Sequence, residues 1–177
     1  YRAAIKLDPQ SALARSNLGA ALAAQGKDYD AIKAYKASLE CDGSQPIVLV
    51  NLATVYLNQE RWETAHRTLA VALQIDPKLA AAHERLGYTL WREQAYDAAA
   101  ESYRKAIELD PQNAPAHAGV GVVLMTQYLD RPEQANLRDE AVEAWHRSLE
   151  LNPEQPKLRA LVEKYRPKYE KPRFTSQ

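Results

Sequence analysis

The sequence predicts an all-α fold, an array of stacked antiparallel helical hairpins, and three observations predict it. Residue types recur with a period of 34, the apolar spacing inside each period is helical twice over, and proline or glycine punctuates the period. Pro9, Pro77 and Pro111 lie at spacings of 68 and 34, and Gly43 fills the gap between the first two. Leu18, Leu52, Leu86 and Val120 keep the same register, accompanied by Gly19, Ala53, Gly87 and Gly121. Ala31, Ala65 and Ala99 hold it too. Tyr1, Tyr35, Leu69 and Tyr103 each stand three residues before a small one, at Ala4, Ser38, Ala72 and Ala106.

Within a period, Leu18, Gly19 and Leu22 mark one face of a first helix, and Ala31, Tyr35, Ser38 and Leu39 one face of a second. Gly26 or a polar residue falls between the two. Proline, which lacks an amide hydrogen and disfavours helix before it, closes the second. Small residues at facing positions let two backbones approach, and the large ones fill the space between them. One such hairpin cannot bury both of its faces, so neighbours must stack.

In chain order, residues 1–11 match the second helix of a hairpin whose first helix is missing, so a fragment of a longer chain is expected. Residues 12–45, 46–79 and 80–113 are regular hairpins, and 114–155 is a fourth of 42 residues rather than 34. Residues 156–166 restart the register as a polar capping helix, with Leu158, Leu161, Val162 and Tyr165 on one face. Pro167 and Pro172 then break any helix and leave 167–177 as an extended basic tail.

The extra 8 residues of the fourth hairpin lie in QYLDRPEQANLRD, between its two helices, so Leu129-Asp130-Arg131-Pro132 is not a hairpin boundary despite its likeness to Leu109-Asp110-Pro111. Asn136 with Asp139, and Asp130 with Glu133, have the spacing of helix caps. The expectation is a loop holding a short helical turn; the alternative is a second helix lengthened by about 12 Å. The segment is a candidate edge contact for a partner or a second subunit, and a tolerated surface insertion otherwise.

The run LGYTLWREQAYDAAAESYRKAIELDP, Leu86 to Pro111, resembles a tetratricopeptide repeat, with that family's Leu-Gly, Tyr, Ala, Tyr, Ala and Pro in place. Four such units span Ala12 to Gln155. The resemblance implies a right-handed superhelical solenoid with a concave groove, lined by the first helices, where family members commonly bind peptides. Gly43 departs from the pattern by replacing a terminal Pro. Asp28 departs by standing where an apolar residue is usual, which predicts a locally shifted first turn.

Composition narrows the function classes. Lys+Arg and Asp+Glu are equal at 23 each, so the electrostatic drive for nucleic-acid binding is absent overall. Pro156 to Gln177 carries seven Lys/Arg against two Glu, which leaves the remainder at −5. No run approaches the roughly 20 apolar residues of a membrane span. No membrane insertion is expected, and a soluble, cytoplasmic chain is favoured. A lone Cys41 excludes an internal disulfide and reads as a small buried filler. GVGVV at Gly119 to Val123 lacks a third Gly and sits in a first helix, so its glycines are packing positions rather than a dinucleotide loop. His83 and His117 are equivalent positions in adjacent units, suited to packing or the surface rather than to a metal. No nucleophile elbow, phosphate loop or isolated carboxylate pair is present, so neither a catalytic residue nor a cofactor is expected.

The expected function is therefore a non-enzymatic scaffold for a protein or peptide partner, with self-assembly into a homo-oligomer, or targeting of a larger protein, as alternatives. The off-stripe residues of the first helices define the candidate groove: Asn17, Asn51, Thr54, Asn58, Arg85, Tyr88, Trp91, Arg92 and Met125. Asn17 and Asn51 share a register and resemble the asparagine ladder with which some family members hold a peptide backbone. Asn51 and Arg85 fit the clamp that other members close on a C-terminal carboxylate, but Ser16, Ala20 and Ala81 stand where its remaining polar groups are expected. Tyr88 and Trp91 supply aromatic anchors beside Leu57, Val122 and Met125, unless Trp91 packs against a neighbouring helix, and Arg85 and Arg92 supply charge-assisted donors. Trp62 and Trp145 fall on the packing register and are expected in the core.

Overall fold

The computed structural model describes residues 1–166; the tail expected at 167–177 lies outside the described residues. Ten α-helices, and no strand, occur among the described residues. They are α1 (Arg2–Leu7), α2 (Ala12–Ala24), α3 (Asp28–Cys41), α4 (Pro46–Asn58), α5 (Trp62–Ile75), α6 (Ala80–Arg92), α7 (Tyr96–Leu109), α8 (Ala114–Asp130), α9 (Ala135–Leu151) and α10 (Pro156–Tyr165). Consecutive helices pair as hairpins, α2 with α3, α4 with α5, α6 with α7 and α8 with α9, and the hairpins stack in chain order.

The boundaries between hairpins rest on Asp as much as on Pro. Asp8, Asp42, Asp76, Asp110 and Asn152 end the second helices in extended backbone. Each accepts on its side-chain oxygen the amide of the residue two further on, at 2.9 to 3.1 Å. Gly43 can therefore replace proline, because Asp42 already makes the turn. The next helix is then tied back across the boundary. Arg15, His83, His117 and Arg159 donate to the carbonyls of Pro9, Pro77, Pro111 and Pro153 at 2.7 to 3.1 Å.

Inside the first three hairpins the turn has one form. Gly26, Glu60 and Gln94 take positive φ of 70°, 57° and 64° at intervals of 34 residues. The amides of Lys27, Arg61 and Ala95 reach back to the carbonyls of Leu22, Tyr56 and Leu90 at 2.9 to 3.0 Å, satisfying orphan helix-end acceptors. The shift predicted at the first turn does not occur. Asp28 opens α3 as Trp62 opens α5 and Tyr96 opens α7, because a carboxylate is favoured in the first turn of a helix.

The fourth hairpin corrects the expectation of a loop. α8 is four residues longer than the 13 of α2, α4 and α6, and α9 is three longer than the 14 of α3, α5 and α7. The last extra residue enters the turn at 131–134, so both helices run on by about a turn instead of one lengthening by the whole insertion. Tyr128 occupies the register of Gly26, Glu60 and Gln94, and a bulky side chain resists the left-handed conformation those residues adopt. The helix therefore continues. Asn136 lies within α9, bonded to Glu140 at 3.4 Å, and Asp130 ends α8, so neither serves as the cap its spacing suggests.

Close helix contact follows the small and large positions. A Cβ on Gly19 would lie 2.7 Å from the Tyr35 ring, and one on Gly87 2.8 Å from Tyr103. Gly121 faces Trp145 in the same way, while the second hairpin pairs Ala53 with the smaller Leu69, both buried. The core forms two clusters, one from Leu22 to Ala82 and one from Leu90 to Val162, and Leu86 and Tyr88 of α6 pack against both. Trp145 is buried as expected and donates to the Ala118 carbonyl. Cys41 is half-buried, not fully enclosed.

Candidate functional site

The first helices α4 and α6 lie against each other, and their off-stripe residues meet. Thr54, Asn58, Arg85, Tyr88 and Arg92 line one cleft of about 390 Å³, with Leu57, Glu60, Trp62 and Glu84 completing its walls. Both helices present one residue per turn to it, as the spacings 54, 58 and 85, 88, 92 require.

Its aromatic wall differs from the sequence expectation in one respect. Trp62, expected in the core, is half-buried, because α5 begins with it and leaves one ring face toward α6. Tyr88 meets it edge-on with ring centres 6.3 Å apart. The Arg92 guanidinium lies over the Trp62 ring, 4.1 Å from its centre, and donates to the Tyr88 hydroxyl at 3.3 Å. Trp62, Tyr88 and Arg92 thus form one interlocked group spanning two hairpins.

The charges are arranged unevenly. Glu84 is buried beside Arg85, whose Nε lies 3.4 Å from Glu84 Oε2. Burial pushes the Glu84 carboxyl above the usual carboxylate range, and Arg85 opposes that rise. Burial likewise raises the Tyr103 hydroxyl, with Glu84 adding to the effect. Thr54 turns its hydroxyl back to the Val50 carbonyl at 2.9 Å. The side-chain amides of Asn17, Asn51 and Asn58 bond no described residue, so their donors and acceptors are open to a ligand.

The remaining candidates fall elsewhere. Asn17 and Asn51 sit half-buried on α2 and α4, outside the residues that line the cleft. Trp91 is half-buried and donates its indole N–H to Thr126 of α8 at 3.2 Å, and its ring lies 6.0 Å from Tyr88. It bridges hairpins. Met125 is 5% exposed and belongs to the core around Leu90 and Val123, which removes it from the groove surface. The register gave no warning of this, since its equivalents are Leu57, which lines the cleft, and Trp91, which is half-buried. Trp62 was hidden because it sits on the packing register, whereas Glu84 lies off that stripe beside Arg85 and was legible as a groove position.

Two further clefts, of about 400 and 370 Å³, flank the lengthened fourth hairpin. Asp97, Gln127 and Arg131 are common to both, and the Gln127 side-chain amide donates to Asp97 at 2.8 Å. Among the described residues no group of three or more His, Cys, Asp or Glu could hold a metal, and no helix is long and apolar enough to cross a membrane.

Residues 27–166 match the family described as the tetratricopeptide repeat protein 21 C-terminal ARM domain, and residues 1–46 match a tetratricopeptide repeat family. No curated protein matches the chain as a relative by sequence. Solved structures do. MamA is 25% identical with a TM-score of 0.70, over 89% of this chain and 87% of that one. The first tetratricopeptide-repeat domain of Spaghetti (RPAP3), bound to the HSP90 peptide SRMEEVD, is 25% identical with a TM-score of 0.64, over 70% and 96%. PilF of Pseudomonas aeruginosa is similar in fold alone, at 22% identity and a TM-score of 0.75, over 86% and 66%.

Proposed function

Because the chain belongs to the tetratricopeptide-repeat family, whose members mediate contacts between proteins, we propose that it is a non-enzymatic scaffold that binds a peptide segment of a partner in the α4–α6 cleft. The observation that carries this reading is the cleft itself. It combines a fixed aromatic pair, Trp62 and Tyr88, with the open amide of Asn58 and the guanidinium of Arg92. Aromatics and Arg in partly desolvated positions are the usual energetic anchors of interfaces. Asn17 and Asn51 extend the surface toward α2 with open amides that suit a peptide backbone. The similar repeat domain bound to SRMEEVD supports a peptide as the ligand class. Arg85 is already paired with Glu84, so a clamp for a C-terminal carboxylate is not the favoured form of binding.

Peptides selected from a random display library against the chain test this. Tyr88→Ala is expected to weaken the selected peptides at least tenfold, in line with truncations of about 2 kcal/mol or more at interface anchors. Thr54→Arg, which fills the cleft from α4, is expected to do the same. Undiminished binding to both variants, with the fold retained, places the site elsewhere.

A second reading, self-assembly, is favoured by one observation, exposed apolar side chains within the first two hairpins. Leu13 of α2, Tyr29 of α3 and Ile47 of α4 are 69%, 76% and 54% exposed. Light scattering across concentration separates the readings, since a monomer throughout leaves only the groove.

A further inference from the structure

We propose that Arg92 is the residue through which the cleft recognises an acidic side chain, Asp or Glu, of a bound peptide. The inference rests on the groove reading above and goes beyond it by assigning the chemistry of one ligand position. Four charged groups line the cleft: Glu60, Glu84, Arg85 and Arg92. Glu84 and Arg85 lie 3.4 Å apart, so Arg85 is already engaged within the protein. Glu60 sits in the exposed turn between α4 and α5, with its backbone in the left-handed region. Arg92 forms no ion pair with any described residue.

Its guanidinium is nevertheless held. Its central carbon lies over the Trp62 ring, 4.1 Å from the ring centre, and one N–H is spent on the Tyr88 hydroxyl. A guanidinium carries five N–H donors in a fixed plane, so these two contacts hold it in place while leaving other donors for a carboxylate. Fixing the side chain before the ligand arrives reduces the ordering cost of binding. The aromatic face also excludes water from one side, which strengthens the charge interaction over that of a free surface arginine. Arg85, seven residues earlier and in register with Asn17 and Asn51, has no such freedom, because its charge is already met inside the protein.

The test uses the chain and peptides selected from the random display library. The selected peptides are expected to share an Asp or Glu at one position. Replacing that residue by Asn or Gln, or making Arg92→Gln in the protein, is expected to weaken binding about tenfold, and the two changes together no further. Arg92→Lys is expected to fall between, since an ammonium keeps the charge but loses the planar fork. Glu84→Gln leaves this coupling in place. The proposal is overturned if the selected peptides share no acidic residue, if the two substitutions add independently, or if the acidic position couples to Arg85 instead. Those outcomes differ from failure of the groove reading, in which Thr54→Arg and Tyr88→Ala leave affinity untouched whatever happens at Arg92.

Discussion

α6 presents two faces that obey different rules. On one, Ala82, Gly87 and Leu90 are buried at the packing seam, and Gly87 leaves room for the Tyr103 ring and no more. On the other, Arg85, Tyr88 and Arg92 line a cleft shared with α4. The packing face repeats along the chain because every hairpin must solve the same problem, two backbones separated by one large side chain. The cleft face changes from hairpin to hairpin: the register of Tyr88 holds Ala20, Thr54 and Val122 elsewhere. Tyr88 also packs against both core clusters, but the seam's repeating demand does not fix this register, so its identities can answer to something outside the protein as well.

If that division is right, truncation should separate the faces sharply. Trp145→Ala, in the packing face, is expected to cost about 3 to 5 kcal/mol by denaturant unfolding. Trp62→Ala, on the cleft face and half-buried, is expected to cost no more than about 1 to 2 kcal/mol while removing the seat of Arg92. Comparable losses would erase the distinction.

Filling the packing face should also hurt. Gly121→Ala would bring a Cβ to 2.8 Å from the Ala141 carbonyl, a backbone atom that cannot swing aside, and is expected to cost about 3 kcal/mol. Gly43→Ala, with only the Leu39 carbonyl near at 3.8 Å, is expected to change stability by less than about 0.5 kcal/mol. Thermal unfolding of the two proteins side by side measures the contrast.

Glu84 lies where the two faces meet and sharpens the comparison through pH. Burial raises its folded pKa, so the folded state holds the proton more tightly than the unfolded chain does. Ionisation therefore penalises folding as pH rises above the ordinary value of 4.5, and the penalty is absent well below it. Glu84→Gln is expected to be more stable than the parent at pH 7, with the gap closing as pH falls through the raised folded value toward 4.5. Arg85 is half-exposed, so the loss of its pair offsets little of that gain. A small gain is expected at the turns, away from both faces. Gln94→Gly relieves a positive φ and should stabilise by about 0.5 kcal/mol after the entropy of glycine is counted.

The same division explains what could be read from the sequence. Tyr35, Ser38, Gly19 and Gly87 recur at fixed intervals, so the hairpins and their stacking were legible from the period alone. The left-handed residues at Glu60 and Gln94 were not, since neither is Gly, and without them the run-on of α8 through Tyr128 could not be told from a loop. Within the cleft, the spacing of Arg85, Tyr88 and Arg92 put them on one helix face. Trp62 reached the same place from α5 by a contact that no single-helix spacing encodes, and Met125 left it by packing into the core around Leu90 and Val123, a tertiary contact that spacing does not encode either.

The most direct measurement of the central claim is an amide nitrogen–proton NMR titration of the chain with a peptide from the display selection. Binding in the cleft predicts that the largest shifts cluster in residues 54–62 and 84–92, with the Trp62 indole among them. Shifts confined to α1, or to the turn of the fourth hairpin around residues 127–137, would contradict it.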